Sequence, residues 1–191
     1  MVTSERKLLR WTKRDYYKMA EIGLFDGKHV ELIEGEIVEM SPMGTLHWVC
    51  VTLTGDALRK VFDQGYFIAT QLPLDLGEST EPEPDVAVIR GNVRDYRDAH
   101  PTTAALIVEV ADTSLSYDRA DKASLYAKAG IAEYWIVNLL DNQCEVHRQP
   151  VPMPDQPFGF GYASVTTLKA TDTVSPLAAP HATIAVADLL P

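Results

Sequence analysis

The sequence has few basic residues for its length. Its 191 residues include 17 lysines and arginines against 27 aspartates and glutamates, which gives a formal net charge of −10 at pH 7. Proteins that bind duplex DNA irrespective of its sequence usually carry a basic surface that neutralises the phosphates. The composition therefore argues against broad DNA affinity, although an acidic metal site could still cut a phosphodiester that reaches it by another route.

Long apolar runs and paired cysteines are also missing. No apolar run approaches the roughly 20 residues that a membrane-spanning helix needs, and the charged N-terminal segment MVTSERKLLRWTKRD lacks the apolar stretch of a secretory signal. Cys50 and Cys144 each lie in an apolar segment without a second cysteine at metal-ligand spacing, so we interpret them as buried thiols in a reducing compartment. We expect a cytoplasmic protein with no membrane partner.

The chain does contain enough apolar sequence for one hydrophobic core. Hydrophobic residues make up 46% of it, which suits a single domain over 1–191 rather than two. Strand-like segments are interspersed with a few helical ones, and this order is typical of an α/β fold with a central mixed β-sheet flanked by helices.

Periodicity, caps and turn residues predict the individual elements. Helices are predicted from the N-cap Thr12 as far as Gly23, over 44–64 and over 117–129. Strands are predicted over 29–34 and 36–40, joined by a tight turn at Gly35, and over 66–70, 72–76, 85–89, 103–110, 132–138, 143–148 and 160–168. A Pro-rich surface loop is predicted over 150–157.

Two acidic residues lie within or next to apolar segments, where contact with solvent alone does not explain them. Glu109 lies inside the apolar run Ala-Leu-Ile-Val-Glu-Val, where a carboxylate costs several kcal/mol unless it is paired, protonated or bound to a metal. Asp85 follows Pro84 and opens the predicted strand 85–89. Carboxylates on neighbouring strands can converge on one cation, and Mg²⁺ prefers such oxygen ligands.

Lys122 is the third candidate, in the helix that follows the Glu109 strand. If that helix folds back on the sheet, its first turns lie near the end of the strand. Asp118, four residues earlier, projects from the same helical face. A lysine beside a metal-bound water can orient the water or stabilise the negative charge of a phosphoryl transition state.

These residues lie within a set of motifs that resembles one protein family. In chain order the motifs are ELIEGEIVEM, His47 after SPMG, PDVAVI, LIVEV and DRADKASLYAKAGIAEYWIV. Together they resemble the Uma2 family (DUF820) of the PD-(D/E)XK restriction endonuclease-like superfamily, over about residues 30–137. The D-x-x-x-K helix followed by Y-A-x-A-G-I-x-E-Y-W is the most specific part of the pattern.

The resemblance implies a restriction endonuclease-like fold with an acidic metal site. Asp85 and Glu109 would be ligands of Mg²⁺ or Mn²⁺, Lys122 the catalytic lysine, and Glu34 a further acid from the hairpin. The basic PD-(D/E)XK pattern places lysine two residues after the glutamate, where this chain has Ala111, so the lysine would come from the next helix instead. The hairpin position that is often Asp in the group is Glu34 here.

The three central residues also have ordinary structural interpretations. Asp85 would then belong to a Pro-Asp turn, Glu109 to a buried ion pair, and Lys122 to a surface pair with Asp118. Because all three match one known constellation, we favour a site.

The sequence defines the roles of the remaining candidate residues less closely. Glu34 and Glu36 flank the turn, and strand alternation favours only one of them facing the site; we favour Glu34. His47 either packs at a helix start or hydrogen-bonds a site residue, and direct metal ligation is disfavoured because the other ligands are oxygens. The aromatic residues Tyr126 and Trp135 are interpreted as core.

The functional hypothesis is a Mg²⁺-dependent endonuclease that hydrolyses DNA phosphodiester bonds, acting through Asp85, Glu109, Lys122 and Glu34. The alternative is a non-catalytic nuclease-like module for binding or assembly, which the net charge of −10 favours. A hydrolase of small phosphate esters is a third alternative. Homodimerisation is expected by analogy with nuclease-like domains that cut both strands.

Overall fold

The structure is a computed structural model that describes residues 7–62 and 64–191. The chain forms two compact units: the first comprises the residues up to Pro42 together with Asp75–Pro82, and the second comprises Met43–Leu74 together with Glu83–Pro191. The single domain over 1–191 stays a prediction. None of the helices in the described ranges is long and apolar enough to cross a bilayer.

The first unit begins with helix α1 (Lys13–Glu21). Thr12 caps it, as predicted: the threonine side chain accepts the Asp15 N–H, and the Asp15 carboxylate accepts the Thr12 N–H, each at 3.2 Å. This capping box satisfies N–H groups that the start of a helix leaves without intrahelical partners.

The predicted hairpin follows, with strands β1 (Val30–Ile33) and β2 (Glu36–Glu39) paired antiparallel. Its two turn residues, Glu34 and Gly35, have φ angles of 49° and 78°, the left-handed pair that a two-residue type I′ turn needs. A Cβ atom at position 35 would lie 2.7 Å from Cβ of Arg10. Both the backbone conformation and the close approach of Arg10 therefore require glycine there.

A six-stranded mixed sheet forms the centre of the second unit. Its strands are β3 (Tyr66–Thr70), β4 (Val86–Arg90), β5 (Leu106–Ala111), β6 (Glu133–Asn138), β7 (Gln143–Pro152) and β8 (Phe160–Lys169). They are arranged in sequence order, with β5 and β6 parallel and every other neighbouring pair antiparallel. This is the predicted central mixed sheet of an α/β fold.

Helices of the second unit precede β3 and connect β5 to β6. Helix α2 covers Thr45–Val61. The crossover that parallel strands require is helical: α3 (Leu115–Tyr117), a π turn (Asp118–Lys122) and α4 (Ala123–Lys128) run without a break. The short strands β9 (Thr173–Val174) and β10 (Ile184–Ala185) form a separate antiparallel pair, and 3₁₀ turns cover Val93–Tyr96 and Val186–Leu189.

The hydrophobic core of the second unit lies around β5 and β6, whose residues are all buried. Near-continuous apolar sequence is typical of parallel strands that are covered on both faces. Helix α2 and the C-terminal segment complete this core, and the Cys50 sulfur lies 3.0 Å from the Leu189 carbonyl oxygen. Both cysteines are buried thiols, as predicted.

Two predicted elements differ from the structure. No strand forms over 72–76, because Pro73 lacks an N–H for a ladder and the apolar pattern instead reflects Leu74, which is buried in a loop. Strand β7 extends through Pro150 and Pro152 into the predicted surface loop. Its pairing with β6 ends at Arg148, so prolines beyond that point lie where one strand edge is open and a missing N–H is tolerated.

Glu133, at the start of β6, is a fully buried carboxylate. Its Oε1 atom accepts hydrogen bonds from the Arg148 guanidinium at 2.5 and 2.9 Å and from the Trp135 indole at 3.0 Å. Its Oε2 atom accepts the Leu177 N–H at 2.7 Å, and Arg148 also donates to the Ser175 carbonyl at 2.6 Å. The Glu133–Arg148 ion pair thereby binds the C-terminal segment to the sheet.

Glu133→Ala is expected to lower the free energy of unfolding by about 3–5 kcal/mol, because it leaves the partly buried Arg148 without its counter-charge. Urea denaturation measures this loss. Asp56→Ala, which removes an exposed partner of Arg59, is the control and should cost less than about 1 kcal/mol. Equal losses in the two variants would contradict the structural role of Glu133.

His147 of β7 is buried among aromatic rings. Its ring centroid lies 5.4 Å from that of Tyr134 and 5.8 Å from that of Tyr162. Burial lowers the pKa of His147 from 6.5 to about 4, with the nearby charge of Glu145 opposing the shift and that of Arg119 reinforcing it. Within the part of the chain that the structure describes, Nε2 of His147 has no hydrogen-bond partner. The imidazole is therefore neutral at pH 7.

The His147 shift predicts a loss of stability in acid. Because the folded-state pKa lies below the unfolded value, the unfolded chain binds the proton first, and stability falls from about pH 6.5 down to about pH 4. The loss between pH 7 and pH 4 amounts to about 3 kcal/mol. His147→Phe should remove most of it in urea titrations at the two pH values, whereas His181→Phe, at an exposed position, is the control. A wild-type pH dependence in His147→Phe would disprove the assignment.

Candidate active site

Asp85 and Glu109 are joined across the neighbouring strands β4 and β5. The Asp85 N–H donates to Oε2 of Glu109 at 3.0 Å, and the Val110 N–H donates to Oδ2 of Asp85 at 2.8 Å. Asp85 directly precedes β4, and Val86 pairs with Val108 in the antiparallel register, so the two acids lie at the same end of the strand pair. The structure therefore brings these two residues together, and the convergence of their carboxylates on one cation stays a prediction.

Lys122 brings a buried amine to the same place. The residue is 2% exposed, and its Nζ lies 3.5 Å from Oε1 of Glu109. A buried ammonium is stable only when carboxylates or other acceptors compensate for its lost hydration. Glu109 supplies that compensation directly, so the amine and the two acids form one cluster.

Asp118 adds a third carboxylate beside this cluster, and it is buried, with 4% of its surface exposed. The Ser114 hydroxyl donates to its Oδ2 at 2.5 Å. Burial raises the pKa of Asp118 to about 6; the Ser114 hydrogen bond and the charge of Lys122 oppose the rise, while the charge of Asp85 adds to it. Asp118 thus belongs to the cluster. Because both Asp118 and Lys122 are buried, the interpretation of the two residues as a surface pair is wrong.

The crossover helix presents these side chains at a constant spacing of four residues. Ser114, Asp118, Lys122 and Tyr126 follow one another at this interval. In an α-helix of 3.6 residues per turn, each step of four overshoots a full turn by about 40°. The π turn at Asp118–Lys122 has more residues per turn, so a step of four there covers slightly less than a full turn. This offsets the rotation that accumulates in the α-helical steps, and the four side chains stay on one face. A π turn inside an α-helix frequently marks a functional site.

Tyr126 has a role that sequence reasoning did not detect. It was predicted to be a core residue, and its side chain is fully buried, but its hydroxyl donates to Oε1 of Glu109 at 2.7 Å. The spacing of four from Lys122 was the signal in the sequence. Ser114, which the sequence analysis did not single out, stands at the same spacing before Asp118.

His47 approaches the site from the first turn of α2. Its Nε2 atom lies 3.0 Å from Oδ2 of Asp85, so of the two predicted arrangements the structure has the contact with a site residue. Burial opposes protonation of His47, but the hydrogen bond and charge of Asp85, together with the charges of Asp112 and Asp118, raise its pKa overall. The imidazolium form is stabilised next to Asp85.

Glu34 lies in the first unit, at the turn of the β1–β2 hairpin. Its Oε1 atom accepts the Thr80 hydroxyl at 3.2 Å, and its own N–H donates to the same hydroxyl oxygen at 3.2 Å. This arrangement fixes the side chain within the hairpin unit. The assisting role of Glu34 in chemistry stays a prediction.

The donor chemistry of the cluster determines which cation it suits. Over residues 7–62 and 64–191, no group of three or more His, Cys, Asp or Glu side chains is arranged to hold a metal ion. Mg²⁺ is commonly bound by one or two carboxylates, with waters and substrate phosphates completing its octahedron. Asp85 and Glu109 form such an oxygen-donor pair at one end of strands β4 and β5. The residues fit Mg²⁺ or Mn²⁺ held by Asp85 and Glu109.

Comparison with known proteins identifies the family and the fold. The chain matches the model of the Uma2 family, described as "Putative restriction endonuclease", over residues 14–187. The structure resembles that of an Anabaena variabilis protein described as "a putative nuclease belonging to DUF820", with a TM-score of 0.68, 14% sequence identity and coverage of 93% of this chain and 96% of the other. No curated protein matches the chain.

At 14% identity the structural likeness is evidence of the fold alone, and it confirms the predicted restriction endonuclease-like α/β architecture. The family match extends over both compact units. On these grounds, the chain belongs to the Uma2 family.

Proposed function

We propose that this chain is a Mg²⁺- or Mn²⁺-dependent endonuclease that hydrolyses phosphodiester bonds in DNA. The observation that carries the proposal is the contact between Asp85 and Glu109 through the Asp85 N–H, with the Lys122 amine 3.5 Å from Glu109. Two acids and a lysine, meeting at one end of a strand pair in a restriction endonuclease-like fold, are the groups that metal-assisted phosphodiester hydrolysis needs.

Each residue has a separate task in this proposal. Asp85 and Glu109 would hold the cation, which when bound polarises the scissile phosphate and lowers the pKa of the attacking water. The Lys122 amine would orient that water and stabilise the charge that develops on the phosphate oxygens. His47 would fix the orientation of Asp85 through its contact with Oδ2.

DNA is the proposed substrate because the family description reads "Putative restriction endonuclease". The net charge of −10 means that binding depends on the site and its cation more than on general attraction to phosphates. Pairing of two copies would allow both strands to be cut, and we retain the homodimer and the cytoplasmic location as parts of the proposal.

Asp85→Asn, Glu109→Gln and Lys122→Met are each expected to reduce plasmid cleavage in Mg²⁺ or Mn²⁺ by about 100-fold or more, because each removes a group that acts on the reacting phosphate. The substitutions preserve side-chain volume, so thermal unfolding should show that the variants are folded. Lys128→Met, on the exposed part of α4, is the matched control for Lys122→Met and should cleave like the wild type. Wild-type cleavage by Asp85→Asn and Lys122→Met would refute the proposal.

A second candidate, a non-catalytic module for binding or assembly, is favoured by one specific observation. Oxygens of both acids already accept hydrogen bonds from the protein, Asp85 from Val110 and Glu109 from Tyr126. Together with the acidic composition, these bonds would also suit a carboxylate pair that serves the fold alone.

Metal titration separates the two candidates. If the site binds Mn²⁺, an ion concentration 100 times the Kd should stabilise the wild type by about 2.7 kcal/mol and raise its Tm, whereas Asp85→Asn should show little change. Differential scanning calorimetry at millimolar Mn²⁺ measures both. An equal response in the two proteins, or none in either, would favour the non-catalytic module.

A further inference from the structure

Glu109 and Lys122 are close but do not form a tight ion pair. Their charged atoms are 3.5 Å apart, longer than the roughly 2.8 Å of a charge-assisted hydrogen bond. Both residues are buried, so the attraction between them is screened less than it would be at the surface. Another contact must therefore hold the carboxylate in place.

The Asp85 N–H holds Oε2 of Glu109 at 3.0 Å, and the Tyr126 hydroxyl is the contact that holds Oε1. It donates to Oε1 of Glu109, the same oxygen that faces the lysine, at 2.7 Å. Hydroxyl–carboxylate bonds of this length are strong because the acceptor is charged. The Tyr126 hydroxyl therefore holds Oε1 of Glu109 in a position from which it would otherwise move towards the Lys122 amine.

The phenol is itself rigidly placed. The Tyr126 ring is fully buried, and its centroid lies 5.2 Å from that of Tyr134, whose hydroxyl donates to the Asp118 carbonyl oxygen at 3.1 Å. The Lys122 amine lies 6.0 Å from the Tyr126 ring centroid, within reach of a cation–π attraction. The same ring therefore contacts the carboxylate through its hydroxyl and the amine through its face.

We propose that Tyr126 is a positioning residue that keeps Glu109 and Lys122 from collapsing into a direct ion pair. The separation leaves the carboxylate available to a divalent cation and the amine available to the phosphate. This inference rests on the proposed function, and it predicts that losing the hydroxyl alone impairs the site while the fold is retained.

The test is Tyr126→Phe, which keeps the ring in the core and removes only the donor. By analogy with hydrogen-bond partners of metal ligands, the variant should bind Mn²⁺ about tenfold more weakly in isothermal titration calorimetry and cleave plasmid about 10–100-fold more slowly, mainly through kcat. The readout of Mn²⁺ affinity does not depend on turnover.

Tyr162→Phe is the matched control. Its hydroxyl donates to the Ile131 carbonyl at 2.9 Å from a similarly buried ring, so it costs the fold a comparable hydrogen bond without touching either charged residue. Tyr162→Phe should leave Mn²⁺ affinity and kcat at wild-type values. Equal losses in both variants would mean a general packing effect and would overturn the positioning role.

The outcomes also separate this inference from the proposed function. Normal Mn²⁺ affinity and kcat in Tyr126→Phe, alongside loss of both in Asp85→Asn, would overturn the role of Tyr126 and leave the nuclease intact. A wild-type protein that neither binds Mn²⁺ nor cleaves DNA would overturn both.

Discussion

The burial of charge at one end of strands β4 and β5 is the constraint on which the rest of the site depends. Glu109 lies on a strand whose residues are all buried, so its carboxylate must find donors within the protein. The backbone of Asp85, the hydroxyl of Tyr126 and the amine of Lys122 supply them. Each of these groups comes from a different turn or strand, and placing them together requires the sheet order and the crossover helix to form correctly.

The crossover helix determines where most of these donors lie. It connects two parallel strands, so its first turns return over the strand end that carries Glu109. The π turn at Asp118–Lys122 interrupts regular α-helical hydrogen bonding, yet Lys122 and Tyr126 both reach Oε1 of Glu109, and Ser114 donates to Asp118 beside them. A local departure from ideal geometry in the helix is therefore explained by the chemistry that the helix serves.

The sequence predicted the sheet and the grouping of Asp85, Glu109 and Lys122 because each carries a strong local signal. An acid inside an apolar run, an acid after a proline and a lysine in the next helix can be recognised without coordinates. The spacing of four places Tyr126 on the same helical face as Lys122, but it identifies no partner for the hydroxyl. The partner of His47 is likewise not encoded in the pattern, since hydrophobic patterns report burial and not where the polar end of a side chain points. The π turn was also missed, because apolar spacing cannot distinguish it from a regular helical turn.

The attachment of the C-terminal segment has a consequence for biosynthesis. Val174, Ile184, Val186 and Leu189 contribute to the same core as α2, and Glu133 and Arg148 bind the backbone at Leu177 and Ser175. A nascent chain that has emerged only as far as β8 still lacks this part of the core and leaves the Glu133–Arg148 pair without those backbone partners. The core of the second unit is therefore complete only after residues through 189 have left the ribosome, and until then the apolar side chains that this segment covers stay exposed.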